Sequence, residues 1–327
     1  MTVMHATASG ENHLLGLYAD MLLIRRAEER LSALFADGEV PGFIHLSIGQ
    51  EAVPVGVMSG LTVDDSIAST HRGHGHALAK GLPLEGFFAE LLARDEGLCR
   101  GRGGSMHVAD LSIGMLGANG IVGAGLSLAL GSALAHKRLG RKAVAVAFFG
   151  DGALGEGLLH ECLNLASLWR LPLLFVCENN GWSEFLPSAK QIAFKLADLA
   201  PAYGIPYMTV DGNDVVAVST AATSAVAGVR AGTPAVLECV TARVRGHYEG
   251  DAQKYRDPAE IKALGERDPL RIAAARLARL GVSDDRLQDL LTEVDRRIEA
   301  AIGAARAGSD PDFTAARDDV YTPAEEQ

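Results

Sequence analysis

The chain has 327 residues, 48% hydrophobic and 22% charged, with a formal net charge of −11. That length is enough for one large domain or two small ones with ample core, and the acidic balance, with no basic run standing out, argues against a nucleic-acid surface, so any phosphate site must be local. Cys99, Cys162, Cys177 and Cys239 show no CxxC spacing, residues 1–11 lack an apolar signal core, and no apolar run reaches the length of a membrane span. The expectation is a cytoplasmic protein with no disulfide framework, zinc ribbon or membrane anchor.

Residues 12–37 predict a helix, with Leu14, Leu17, Tyr18, Met21, Leu22, Ile24, Leu31 and Leu34 as its apolar stripe and Arg25, Arg26, Glu28, Glu29 and Arg30 on a solvated side. A loop over 38–47 holds His45, and a helix runs on to about residue 59. A short strand at 65–70 then delivers His71-Arg72-Gly73-His74-Gly75-His76. Histidines at period two without an acidic companion make a poor zinc pattern, whereas glycine-exposed backbone beside an arginine suits an anion. Residues 97–125 have little periodicity but carry Met106, Val108, Leu111, Ile113, Met115, Leu116, Ile121 and Val122. Such a segment is too apolar for a disordered loop and should fold over something, before a helix at 125–139.

Residues 143–187 are the most informative stretch. A buried strand over 143–149 breaks at Gly150-Asp151-Gly152, an amphipathic helix follows over 155–170, Pro172 bars its continuation, and a second apolar strand over 173–177 ends in Glu178-Asn179-Asn180-Gly181-Trp182. A helix of about 15 residues runs back roughly 22 Å, and a strand of about six comes forward roughly 20 Å. Asp151 and Asn180 therefore share the carboxyl edge of neighbouring parallel strands, where open α/β sheets bind ligands. A carboxylate, an amide oxygen and a nearby carbonyl are hard oxygen donors suited to Mg²⁺ or Ca²⁺ bridged to phosphate. The pattern Gly150-x-Gly152-x-x-Gly155 also matches a dinucleotide fingerprint, but it would set Asp151 against a pyrophosphate unless a metal lay between.

Downstream, a helix at 194–203, a strand at 207–210, a helix at 213–231 capped within Asp211-Gly212-Asn213, and a strand at 234–241 continue the alternating order. The loop Arg243 to Arg256, RVRGHYEGDAQKYR, is basic enough for an anion. Helices at 258–264, 269–280 and 283–306 follow, the last capped by Ser283, and 308–327 reads as extended.

Gly150-Asp151-Gly152 followed 29 positions after Asp151 by Asn180 resembles the thiamine diphosphate motif. The words FFGDGA, ENNGW, PGFIHLSIGQEA, GRGGSMH and GANGIVGAG are similar to those of alpha subunits of thiamine-diphosphate-dependent 2-oxo acid and acetoin dehydrogenases. The resemblance covers about residues 15–262 and implies an α/β thiamine-diphosphate-binding fold: a mostly parallel sheet with helices on both faces in domain 1–262, and a helical extension with a tail over 263–327. It implies Mg²⁺ held by Asp151, Asn180 and the carbonyl of Trp182, with Gly152 and Ala153 beside them. Arg72 and His71 fall where an arginine and an aromatic residue hold the diphosphate, although tyrosine is common at the position of His71. Gly120 and Val122 match backbone contacts to the aminopyrimidine ring, and Arg243 and His247 match the basic residues of a mobile loop. His45, His74 and His247 match histidines near cofactor or substrate. A beta-type subunit supplying an essential glutamate, a lipoyl acyltransferase as acceptor and a small carbonyl substrate are implied as partners.

Tyr248 replaces the regulatory phosphoserine of mitochondrial pyruvate-type enzymes, and VADLSIGML, GHYEGDAQKYR and Trp182 lean toward the acetoin type. Two alternatives stay open at this point: a nicotinamide-dependent dehydrogenase with Glu178 as ribose ligand, and a non-catalytic subunit of the same fold.

Overall fold

A computed structural model describes residues 2–320, with side chains from residue 10 onward. Six strands form one parallel sheet in the order β2-β1-β3-β4-β8-β7: β1 (Ser66–Ala68), β2 (Met115–Gly117), β3 (Ala145–Gly150), β4 (Leu173–Asn179), β7 (Tyr207–Asp211) and β8 (Ala235–Val240). A small antiparallel hairpin, β5 (Trp182–Ser183) with β6 (Leu186–Pro187), follows β4.

The period-two alternation of a strand sorts each central strand between two apolar layers. Val146, Phe148, Leu174 and Val176 enter the larger core, while Ala145, Ala147, Phe149, Leu173, Phe175 and Cys177 enter the smaller one. On the larger-core face lie α1 (Thr2–Ala36), α2 (Ala52–Met58), α3 (His74–Ala79), α4 (Leu84–Leu91) and α8 (Val215–Arg230). The smaller core is covered by α5 (Ala124–Arg138), α6 (Gly157–Leu168) and α7 (Leu196–Ala202). The α/β architecture with helices on both faces is therefore as expected.

Beyond the sheet come α9 (Pro258–Ala263), α10 (Pro269–Arg279) and α11 (Asp284–Arg306). Ala273, Leu277, Val294, Ile298 and Ile302 bury into the larger core, and Arg25 and Arg26 of α1 pair with Asp268 and Asp295. Ser283 caps α11 as expected, whereas Asp214, not the preceding Asp211 or Asn213, caps α8.

Several expectations need correction. The His-Gly run, to which the sequence assigns no element, contains a helix start, because His74 begins α3; Gly73 makes the entry possible, as a Cβ there would meet Ala118 at 2.8 Å. Within the aperiodic 97–125 stretch, three residues pair with β1 as β2, a strand too short for periodicity to reveal. Residues 308–320 are not simply extended: Asp312 caps α12 (Phe313–Asp318), and the remainder of the predicted tail, 321–327, lies outside the described residues. Among the described residues no helix is long and apolar enough to cross a membrane.

Candidate cofactor-binding site

β3 and β4 are adjacent and in register, with Gly150 opposite Glu178, so Asp151 and Asn180 do emerge side by side at the carboxyl edge. They line a cavity of about 240 Å³ whose wall also includes His45, His71, Arg72, Gly120, Val122, Gly152, Ala153, Trp182, Arg243 and His247. Residues spread over 203 positions of sequence thus converge on one concavity.

One end is carboxylate. Asp151 is 1% exposed; its Oδ2 accepts the hydroxyl of Ser188, and its Oδ1 is buried without a hydrogen-bond partner among the described residues. Burial raises its pKa even though the Ser188 hydroxyl and nearby backbone N–H groups favour the ion. A buried carboxylate oxygen with no donor is costly unless a cation or proton completes it. Beside it, Asn180 Oδ1 accepts the Trp182 N–H at 3.1 Å while its Nδ2 donates to Gln50 Oε1 at 2.9 Å, which fixes the amide's orientation. The turn must pass close to the hairpin: a Cβ on Gly152 would sit 2.8 Å from Ser183 Oγ and 3.2 Å from its Cβ.

The other end is cationic. Arg72 is buried, donating to the carbonyls of Leu46 at 2.5 Å and His247 at 3.0 Å. Burial and the neighbouring Arg243 lower its pKa to about 10. Arg243 donates to Glu184 O and Tyr255 Oη, both at 3.1 Å, and its Nε has no partner among the described residues. Its loop is knitted by Asp251, which accepts the His247 N–H at 2.7 Å and the Tyr255 hydroxyl at 2.5 Å. Gly246 permits this fold, since a Cβ there would meet Asp251 at 2.6 Å.

His45, His71 and His247 pack together against these guanidiniums, with ring centroids 4.8, 5.1 and 5.4 Å apart. Burial, then Arg72, pushes His45 down to about 3 and His247 to about 4, and His71 is lowered for the same reasons. All three are neutral at pH 7, and His45 Nδ1 and His71 Nε2 are buried without partners among the described residues. Their ligating nitrogens lie within 4.8 Å of one another, close enough to raise a metal reading. Electrostatics decides against it: a divalent ion about 6 Å from a guanidinium is repelled by about 5 kcal/mol at an effective dielectric near 20, and two guanidiniums stand here. An anion gains what the cation would lose.

His74 is the expected site residue that the fold does not bring to the cavity. It is fully buried behind the wall, between Glu28 and Ser105. Conversely, two residues that orient the site's polar groups escaped notice. Gln50, 1% exposed, orients Asn180, and Ser188 reaches Asp151 across 37 residues, a pairing with no local signal. Glu178 also lines the cavity, with Oε1 3.3 Å from His76 Nε2, while His76 Nδ1 sits 2.7 Å from Ser69 Oγ. Glu178 thus faces a histidine, where a dinucleotide reading would give it a ribose.

The family model for the dehydrogenase E1 component matches residues 19–313. Among curated relatives, the alpha subunit of acetoin:2,6-dichlorophenolindophenol oxidoreductase from Bacillus subtilis is 47% identical over 95% of this chain and 94% of its own length. The protein of the same name from Cupriavidus necator is 44% identical, covering 94% of each chain. The pyruvate dehydrogenase E1 component subunit alpha of Rhizobium meliloti is 39% identical over 93% of this chain and 88% of its own. With a match spanning nearly the whole fold, the sequence resemblance holds: the chain belongs to the dehydrogenase E1 component family, as an alpha-type chain.

Proposed function

We propose that this chain is the alpha subunit of a thiamine-diphosphate- and Mg²⁺-dependent enzyme that cleaves a C–C bond next to a carbonyl, with acetoin as first substrate and a 2-oxo acid such as pyruvate as second. The observation that carries the reading is the cavity's polarity: a buried Asp151 oxygen without a partner at one end and two guanidiniums that make no salt bridge at the other, both among the described residues. A metal-diphosphate ligand would complete both. Asp151, Asn180 and the Trp182 carbonyl are hard donors for Mg²⁺, and Arg72, His71, Arg243 and His247 would hold the diphosphate. The backbone at Gly120 and Val122 would orient the ring. Thiamine diphosphate, when bound, would supply a nucleophilic carbon and an electron sink for cleaving a C–C bond next to a carbonyl. His45, whose Nδ1 is buried without a partner among the described residues, and His247 would stand beside the substrate as neutral imidazoles, able to hydrogen-bond its oxygen.

The chain forms half of such a site. Its cavity is smaller than the roughly 300–1,000 Å³ usual for cofactor pockets, and Ile121 and Val122 at its rim are 72% and 51% exposed. A beta-type subunit would cover that apolar rim and bring the glutamate for which no residue here is assigned, and a lipoyl acyltransferase would take the acyl group. Within the chain, residues 1–262 form the cofactor-holding part, and the helices after 263 brace it through α1. Acetoin ranks first because the 47% and 44% identical relatives are named for it.

The test is calorimetric binding of thiamine diphosphate with and without Mg²⁺, to wild type and Asp151→Ala, alone and co-expressed with a beta-type subunit. Metal-dependent binding that disappears in the variant supports the reading, and an acetoin against 2-oxo acid turnover panel then ranks the substrates. Heat on adding NADH, with none from thiamine diphosphate, would sink it.

A further inference from the structure

The cavity's two flanking loops are tied together by groups that never reach the cavity. Both oxygens of Glu28, on α1, accept the backbone N–H of Ser47 at 2.8 Å, and its Oε1 is also 3.1 Å from His74 Nδ1. On the ring's other side, His74 Nε2 is 2.7 Å from Ser105 Oγ. A carboxylate can only accept, so the proton of that contact is on Nδ1; in the neutral ring Nε2 is then the acceptor for the Ser105 hydroxyl. Glu28 and His74 are both 0% exposed, Phe87 packs edge-on to the ring with centroids 5.6 Å apart, and among the described residues Glu28 and Ser105 are the hydrogen-bond partners of the ring nitrogens.

What the string joins is informative. Ser47 lies two residues from His45, and Ser105 lies one residue from Met106; His45 and Met106 both line the cavity, and His74 does not. Two positions upstream of His74, Arg72 grips the same loop through the Leu46 carbonyl. The other end of the glycine-rich loop is held by a second fully buried carboxylate: Glu90 accepts the N–H groups of Cys99, Gly101, Gly103 and Gly104 at 2.7, 2.9, 2.8 and 3.0 Å. Glu90 therefore shapes the loop, and the Ser105 contact is the side-chain hydrogen bond that, among the described residues, links it through His74 to the His45 side.

We propose that His74 is a positioning residue: through Glu28 and Ser105 it sets the separation of the His45 loop and the Met106 loop, and so the width of the anion-binding cavity, without touching the ligand. The ligand part of this rests on the diphosphate reading above, while the coupling of the loops does not.

The experiment uses the full chain and two readouts, backbone hydrogen exchange at Ser47 and at residues 99–107, and calorimetric affinity for inorganic pyrophosphate with Mg²⁺. His74→Phe should speed exchange in both loops and weaken pyrophosphate about tenfold, the loss of one well-made buried hydrogen bond. Ser105→Ala should speed exchange only at 99–107, and the double variant should lose no more affinity than His74→Phe alone, because one string is cut once. His74→Asn, which keeps a donor near the Nδ1 position, should restore Ser47 and leave 99–107 fast. Unchanged exchange at 99–107 in Ser105→Ala, a variant mild enough to fold, overturns the proposal, as do additive losses in the double variant. Failure of wild type to bind pyrophosphate would instead fall on the diphosphate reading and leave the exchange results to decide the coupling.

Discussion

The two edges of the sheet both gather cationic side chains, and they differ in how those side chains are partnered. At the carboxyl edge Asp151 Oδ1, His45 Nδ1, His71 Nε2 and Arg243 Nε are buried and without partners among the described residues. At the amino edge Lys137, Arg141, Arg170 and Arg230 rim a cleft of about 850 Å³. There, however, the cations are engaged or solvated. Arg230 forks onto Asp65 at 2.8 and 2.7 Å, and Lys137 Nζ donates to the carbonyl of Trp169 at 2.5 Å. α5, α6 and α8 all end at this edge, so their carbonyl ends favour basic side chains there. Lys137, Arg138, Arg141 and Lys142 form a short basic run that the acidic composition of the whole chain hides, contrary to the expectation that no such run exists. Charge density alone therefore does not mark a site; several incomplete buried polar atoms gathered in one cavity do so better than a single one, such as His136 Nδ1 near the amino edge.

This contrast predicts a double dissociation. Asp151→Asn should weaken Mg²⁺-dependent thiamine diphosphate binding by about 100-fold, yet raise stability in urea by about 1 kcal/mol, because an unpaired buried charge is removed. Asp65→Asn should do the reverse. Asp65 is fully buried and accepts from Arg230 and from the N–H groups of Thr62 and Val144, so its loss should cost about 2–3 kcal/mol with cofactor affinity unchanged. If Asp151→Asn lowers stability, the carboxylate is structural and the comparison fails.

Acid should separate the edges next. Burial, reinforced by Arg72, holds His45 near 3 and His247 near 4, against an ordinary value of 6.5. The unfolded chain takes up protons below about 6.5 and the folded chain does not until the lower values, so their contribution is complete above 6.5 and lost as pH falls through 4 toward 3. Stability measured between about pH 7.5 and pH 5 should fall less steeply in His45→Gln/His247→Gln than in wild type; pyrophosphate, by screening the guanidiniums, should also flatten the slope. Equal slopes in variant and wild type would show that these imidazoles are not held neutral. Asp65 behaves differently: burial would raise its pKa, but Arg230 and two N–H groups hold it below 3.8, so its contribution persists until more acid conditions. The smallest effect is expected from Arg141→Ala and Arg170→Ala, within about 0.5 kcal/mol of wild type and with unaltered cofactor binding; a tenfold loss of affinity would mean that the amino-edge cleft also serves the ligand.

Local pattern was enough to read the β3-α6-β4 unit. Apolar runs, a proline stop and two loop words place Asp151 and Asn180 on one edge because a parallel crossover leaves them no other arrangement. The words around Arg72, Gly120 and His247 likewise named most of the cavity wall, since a loop's chemistry is written in its own residues. What stayed hidden depends on distances between segments. That Ser188 donates to one oxygen of Asp151, that Gln50 turns Asn180, and that β2 exists at all are consequences of packing, with no periodic or local trace. His74 is the clearest case: its neighbours His71 and Arg72 line the cavity, but the start of α3 turns its ring inward onto Glu28, 46 residues away, and Ser105, 31 residues away. Sequence by itself determined the family, the pairing of the two strands around the motif and most of the residues that line the cavity. Only the tertiary structure decided which polar atoms are left incomplete, because satisfaction of a buried donor or acceptor is set by whatever the rest of the chain brings within about 3 Å of it.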